Sequence, residues 1–73
     1  MNIEVNKGLF KCIDLYNNNV WYSKNTGEMK KQAQEYFDKC EGICMLSYRV
    51  YDYINDNYRI MSSNEVKQAG FPL

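Results

Sequence analysis

Three cysteines and scattered carboxylates are the residues of this chain that could do covalent or metal chemistry. Cys40 and Cys44 stand close together in Cys40-Glu41-Gly42-Ile43-Cys44, and Cys12 lies elsewhere. Together they could offer three soft ligands to zinc. A structural zinc site usually takes four ligands at tighter spacing, often Cys-x-x-Cys. The chain has 0 histidines to complete the set. Cys40 also falls on the apolar stripe of an expected helix, and Cys44 shares a strand face with Leu46 and Val50. Free cysteine is among the most buried residue types, so packing explains these thiols better than ligation. No metal and no cofactor are expected.

Catalysis has as little to stand on. A cysteine nucleophile needs a base, and only carboxylates or lysines are at hand. Asp14, Asp52 and Asp56 form no pair that sequence alone brings together, and Asp56 reads as a turn residue. The 4 glycines stand singly, so there is no phosphate-binding loop. The chain reads as a non-enzyme.

Contact chemistry is better represented. The sequence holds 7 tyrosines and 1 tryptophan. Four of those tyrosines, Tyr48, Tyr51, Tyr53 and Tyr58, crowd into one stretch with Arg49 and Arg59. A tyrosine ring gives a large rigid contact with a polar tip. Tyrosine, arginine and methionine are enriched in the cores of interfaces. If Tyr48 and Val50 face inward, then Arg49, Tyr51 and Tyr53 form a patch with Met45. Trp21 and Tyr22 point to opposite faces of their strand, so one joins that patch and the other the core. The expected contact residues are therefore Trp21, Tyr22, Met45, Arg49, Tyr51 and Tyr53. The competing reading places each of these rings in the core.

The elements that must position them follow from periodicity. Leu9 to Tyr16 and Val20 to Tyr22 read as strands around Asn17-Asn18-Asn19, a turn triplet. In the first strand Leu9, Lys11, Ile13 and Leu15 share one face. Phe10, Cys12, Asp14 and Tyr16 share the other. Asn25, with Glu28 after it, caps a helix. Its apolar stripe is Met29, Ala33, Tyr36, Phe37 and Cys40, and Gly42 ends it in the left-handed region. Residues 43–53 alternate like a strand, although Leu46, Val50 and Ile54 also fit a helical spacing. Asn55-Asp56-Asn57 then turns the chain into a returning strand, Tyr58 to Met61. Ser62 with Glu65 caps a short last helix closed by Gly70. Ile3 to Val5 reads as an earlier extended piece. The sequence reads as having no internal repeat. The expected fold is α+β: a small antiparallel sheet in the order β-β-α-β-β, a short C-terminal helix, and the amphipathic helix packed on one sheet face. The other face is left to water or to a partner.

Bulk properties limit the classes of partner. At 73 residues the chain is one domain, 1–73. A domain of this size buries only about 60% of the surface that its unfolded chain exposes. It needs a well-filled core or a partner. Its 9 basic and 9 acidic residues cancel, which argues against a duplex binder working by phosphate neutralisation. Single-strand binders stack bases on aromatic rings beside a basic groove, and the Tyr48–Arg59 stretch interleaves rings with guanidinium groups. Nucleic acid therefore stands as the alternative partner, behind a host protein or a second copy of the chain. Met1 to Lys7 has no apolar run typical of a signal peptide, and no stretch is long enough to span a bilayer. A cytoplasmic protein with reduced thiols and no membrane partner is expected.

Asn, Lys, Tyr and Ile are abundant while Ala, Arg and Pro are scarce, as in low-GC bacteria and their mobile elements. In size, balanced charge and lack of a catalytic constellation the chain resembles small accessory proteins of phages and mobile elements. That resemblance implies a protein-binding module that inhibits or redirects a host nuclease, polymerase or defence effector.

Overall fold

The structure is a computed structural model that describes residues 6–72. The elements run β1 (Phe10–Asp14), β2 (Asn19–Ser23), α1 (Thr26–Lys39), β3 (Leu46–Asp52), β4 (Asn57–Ile60) and α2 (Ser63–Ala69). The four strands make one antiparallel sheet in the order β2-β1-β3-β4. This is the α+β architecture read from the sequence. The expected piece at Ile3 to Val5 lies outside the described residues.

Both helices cover the same face. The core joins Cys12 and Tyr48 from the strands to Met29 and Ala33 of α1, Val66 of α2 and Phe71. Phe10, Trp21, Leu46 and Met61 pack against it. The Phe71 ring lies 4.7 Å from Tyr48 and 6.4 Å from Phe10. Tyr48 Oη donates to the Pro72 carbonyl at 2.5 Å, which satisfies the one polar atom of that buried ring. The C-terminal segment is thus tied down rather than left as a tail.

Local chemistry explains the element ends. Asn25 Oδ1 accepts from the Glu28 N–H at 2.8 Å and caps α1. Ser62 and Glu65 form a reciprocal capping box at α2. Gly70 closes α2 with φ 77°. The strand expected over residues 43–53 forms, but it runs only from Leu46 to Asp52. The Met45 N–H turns aside to Asp14 Oδ1 at 3.1 Å, and Ile43 N–H closes a turn onto the Cys40 carbonyl. The first strand likewise stops at Asp14 rather than running to Tyr16. The Asp14 carboxylate accepts from the Tyr16 and Asn17 N–H groups and starts the turn there.

The expectation of no internal repeat is corrected by the register. The chain is two ββα units, β1-β2-α1 and β3-β4-α2. Asp14 corresponds to Asp52, Asn17 to Asn55, Asn19 to Asn57 and Lys11 to Arg49. Asp14 pairs with Asn19 as Asp52 pairs with Asn57, and Lys11 with Tyr22 as Arg49 with Ile60. In both turns an Asn side chain bonds back to the Asp, at 2.7 Å in the first and 2.6 Å in the second. Across β1 and β3, Phe10 pairs with Val50, and Cys12 with Tyr48. Those two pairs exchange when the units are interchanged, so a pseudo-two-fold axis passes between Lys11 and Arg49.

Gly8 shows how closely the first unit is packed. A Cβ on it would lie 2.4 Å from the Ser23 carbonyl oxygen, and its φ is 151°. Gly8→Ala must therefore push two backbone segments apart. It is expected to cost about 2 kcal/mol or more in urea unfolding.

Candidate protein-binding face

The sheet presents one face to the helices and leaves the other uncovered by them. Strand alternation and register put Lys11, Ile13, Val20, Tyr22, Ser47, Arg49, Tyr51, Tyr58 and Ile60 on the open face. Leu15 and Met45 extend it, since the Leu15 N–H donates to the Met45 carbonyl at 2.8 Å.

The face has two halves. At one end the rings of Tyr22, Tyr58, Tyr51 and Tyr53 form a chain with centroid separations of 5.9, 5.6 and 4.9 Å. Tyr58 Oη reaches the Gly8 carbonyl at 2.6 Å and holds its ring over the sheet. The Lys11 ammonium lies 5.6 Å from the Tyr22 ring centroid and 5.4 Å from that of Tyr58. Lys7 sits 5.2 Å from Tyr22. These are cation–π distances. At the other end the face is aliphatic and exposed: Leu15 and Val20 at 49%, Met45 at 59% and Ile60 at 67%.

The structure brings Tyr22, Met45, Arg49, Tyr51 and Tyr53 to this face. It does not bring Trp21. That ring lies on the helix side, tilted against Tyr36 at 4.7 Å. The expected exposure of Tyr51 is also corrected. It is only 6% exposed, because Tyr53 and Tyr58 both pack edge-on against it. Tyr53 is exposed at the rim. Lys11, Ile13, Leu15, Val20, Tyr58 and Ile60 also belong to the face, and the sequence pattern does not single them out as contact residues. Alternation groups Lys11, Ile13 and Leu15 together without a means to choose which face the helix covers.

The edge of the sheet, between β2 and α1, holds a cleft of about 390 Å³ lined by Trp21, Tyr22, Gln32, Glu35, Tyr36 and Lys39. Behind it Asp14 is fully buried. It accepts from Tyr36 Oη at 2.5 Å, Asn17 Nδ2 at 2.7 Å and the Tyr16, Asn17 and Met45 N–H groups. Burial alone would raise its pKa. The hydrogen bonds of Tyr36, Asn17 and Met45 outweigh that and hold the carboxyl well below its usual range. All its acceptor directions are taken, so the group is a structural anchor rather than a base. Burial pushes the Cys12 thiol up to about 12, with Asp14 and Cys44 adding to the effect. It is a packed, unreactive thiol. Cys40 and Cys44 are half-buried thiols. Among the described residues no group of three His, Cys, Asp or Glu could hold a metal ion.

These shifts set the pH profile. Asp14 is depressed, and so are Asp52, through Asn55 and the Ile54 N–H, and Glu65, held at about 2 chiefly by Arg59. A depressed carboxyl contributes stability that is present above its unfolded value near 4 and lost as pH falls through its folded value. A raised thiol such as Cys12 contributes below about 9 and loses it as pH climbs toward 12. With no histidine between them, Tm should be level from about pH 5 to 8. It should fall below about pH 4 and again above about pH 9. A sloping Tm between pH 5.5 and 7.5 would contradict this.

Among the described residues no helix is long and apolar enough to cross a membrane. Comparison with protein-family models, with curated proteins and with solved structures finds no match for the chain.

Proposed function

We propose that this chain is a small non-enzymatic protein-binding module that docks a macromolecular target through its open sheet face. The observation that carries the reading is one surface: Leu15, Val20, Met45 and Ile60, all about half exposed or more, arranged around Arg49 on the side that neither helix covers. Exposed aliphatic patches rimmed by polar residues mark interaction sites. Balanced charge and AT-rich composition fit an accessory protein of a phage or mobile element in a low-GC bacterium. Such a protein would bind and inhibit or redirect a host nuclease, polymerase or defence effector.

The alternative is a single-stranded nucleic-acid binder, favoured by the placement of Lys11 between the Tyr22 and Tyr58 rings. It is weaker because stacking needs free ring faces. Tyr51 is buried, and Tyr22 and Tyr58 are half-buried in ring contacts.

Affinity capture from a low-GC bacterial lysate tests the reading, with nuclease treatment and a moderate-salt wash. The parallel bait carries Met45→Glu and Ile60→Glu. A protein retained through nuclease and salt by the wild type, and lost from the variant, is the expected result. Recovery that vanishes with nuclease or salt would transfer the face to nucleic acid.

A further inference from the structure

The chain between α1 and β3 folds back on itself and brings two thiols together. The Cys40 N–H closes the last turn of α1 onto the Tyr36 carbonyl at 3.0 Å. Glu41 and Gly42 then take left-handed backbone angles, φ 53° and 77°, and the Ile43 N–H returns to the Cys40 carbonyl at 2.9 Å. Both neighbours of Cys44 are fixed to the first hairpin. The Ile43 carbonyl accepts from Asn17 Nδ2 at 3.4 Å, and the Met45 N–H donates to Asp14 Oδ1 at 3.1 Å. Cys44 is thereby held against the end of α1, where its thiol hydrogen-bonds that of Cys40. Both thiols are only half-buried, within reach of a small oxidant. Cys12 is fully buried and out of reach.

We infer that Cys40 and Cys44 form a reversible disulfide, a redox-sensitive clasp that pins the C-terminal end of α1 to the entry of β3. The oxidant is a small disulfide of the glutathione class. One protein thiolate attacks a sulfur of oxidised glutathione and expels a glutathione thiolate, leaving a mixed disulfide. The second protein thiolate attacks the protein sulfur of that bond and expels the other glutathione. Two protein thiols are oxidised, one glutathione disulfide is reduced, and the two thiol protons pass to the two glutathiones. A disulfide needs two side chains that already converge, and thiols that hydrogen-bond one another do. Charge also favours the bridge. Burial, with Cys40 and Asp14 adding to it, pushes the Cys44 thiol up, so a resident thiolate is disfavoured there, whereas a disulfide carries no charge. The clasp does not depend on the protein-binding reading above.

Incubation of the intact protein with oxidised glutathione at about pH 8 tests this, followed by alkylation in denaturant and mass spectrometry. The wild type should keep one alkylatable thiol, at Cys12. Its tryptic peptide 40–49, which holds both cysteines, should be lighter by two hydrogens. Cleavage after Glu41 should leave two pieces that part only on reduction, and dithiothreitol should restore all the thiols. Cys40→Ser and Cys44→Ser should each end as a mixed disulfide with glutathione, while Cys12→Ser still closes the bridge. A cross-link restricts the unfolded chain, so the oxidised wild type should melt above its reduced form by roughly 3 °C or more. Cys40→Ser should show no such rise. Every thiol still alkylatable, glutathione left on the wild type, a bridge through Cys12, or a disulfide between two chains would each overturn the assignment. An oxidised form that melts at or below the reduced one would overturn the clasp.

Discussion

Asp14→Ala is expected to cost about 4 kcal/mol or more of stability, whereas the same change at its repeat counterpart, Asp52, lowers Tm only slightly. The two aspartates do the same local work. Each accepts from two backbone N–H groups of its own turn and from an Asn side chain. Their surroundings differ. Asp14 is fully buried and also takes Tyr36 Oη and the Met45 N–H, which come from α1 and from the segment leading into β3. Its removal strands three backbone donors and a hydroxyl. At about 1–3 kcal/mol for each buried group left unpaired, the total is about 4 kcal/mol or more. A domain of this length has roughly 4–11 kcal/mol to lose. Asp52 serves a solvated turn, where water replaces the lost acceptor. Asp14→Asn keeps the shape but turns an amide N–H toward the Tyr36 hydroxyl, so it should fall between. Urea unfolding of the three variants reads the order directly. Equal losses at Asp14 and Asp52 would show that Asp14 is no more than a turn residue.

Met45→Glu with Ile60→Glu is expected to weaken partner binding by roughly a hundredfold or more while the fold survives. Two charges set into an apolar contact must be desolvated without partners, at about 1.5 kcal/mol or more each. The isolated fold has little reason to object. Met45 precedes β3 and is 59% exposed, and Ile60 is 67% exposed. Ile60 is also the cross-strand partner of Arg49, so a carboxylate there gains an ion pair within the monomer. A Tm within a few degrees of wild type, beside a lost complex, separates surface from scaffold. Tyr51→Ala cannot make that separation. The ring is packed between Tyr53 and Tyr58, and its loss would read as instability. Tyr53→Ala is the cleaner aromatic variant.

Much of the architecture is legible in the residues. The stripe of Met29, Ala33, Tyr36 and Phe37 and the caps at Asn25 and Ser62 place both helices. Alternation around Tyr48 and Val50 sets the faces of β3. What alternation lacks is a sign. Lys11, Ile13 and Leu15 share a face, but Phe10, Cys12 and Asp14 opposite them look no more apolar. The deciding residue is Asp14, which reads as exposed by type and is buried by its hydrogen bonds. The repeat is hidden for a related reason. The units share polar turn and cap residues, Asp14 with Asp52 and Glu28 with Glu65, while helix-side strand positions differ, as Cys12 with Val50 and Trp21 with Arg59. Hydrophobic pattern therefore does not show it. The replacement of Trp21 by Arg59 also explains the asymmetry of the helix layer. Trp21 stacks on Tyr36 of the longer α1, whereas Arg59 forms a bidentate pair with Glu65 at 2.9 and 2.8 Å at the start of α2. Exposure of tyrosine is the other gap. Ring-on-ring packing across β2, β3 and β4 depends on register, which spacing in one strand does not give.

The most direct test of the open face is an NMR footprint of the captured partner on isotope-labelled protein. Methyl signals of Ile13, Val20, Met45 and Ile60 and the amides beside Arg49 should shift or broaden, while Ala33 and Val66 stay in place. A footprint centred on α1 and the Trp21–Tyr36 cleft, with the open face unchanged, would contradict the assignment of that face as the binding surface.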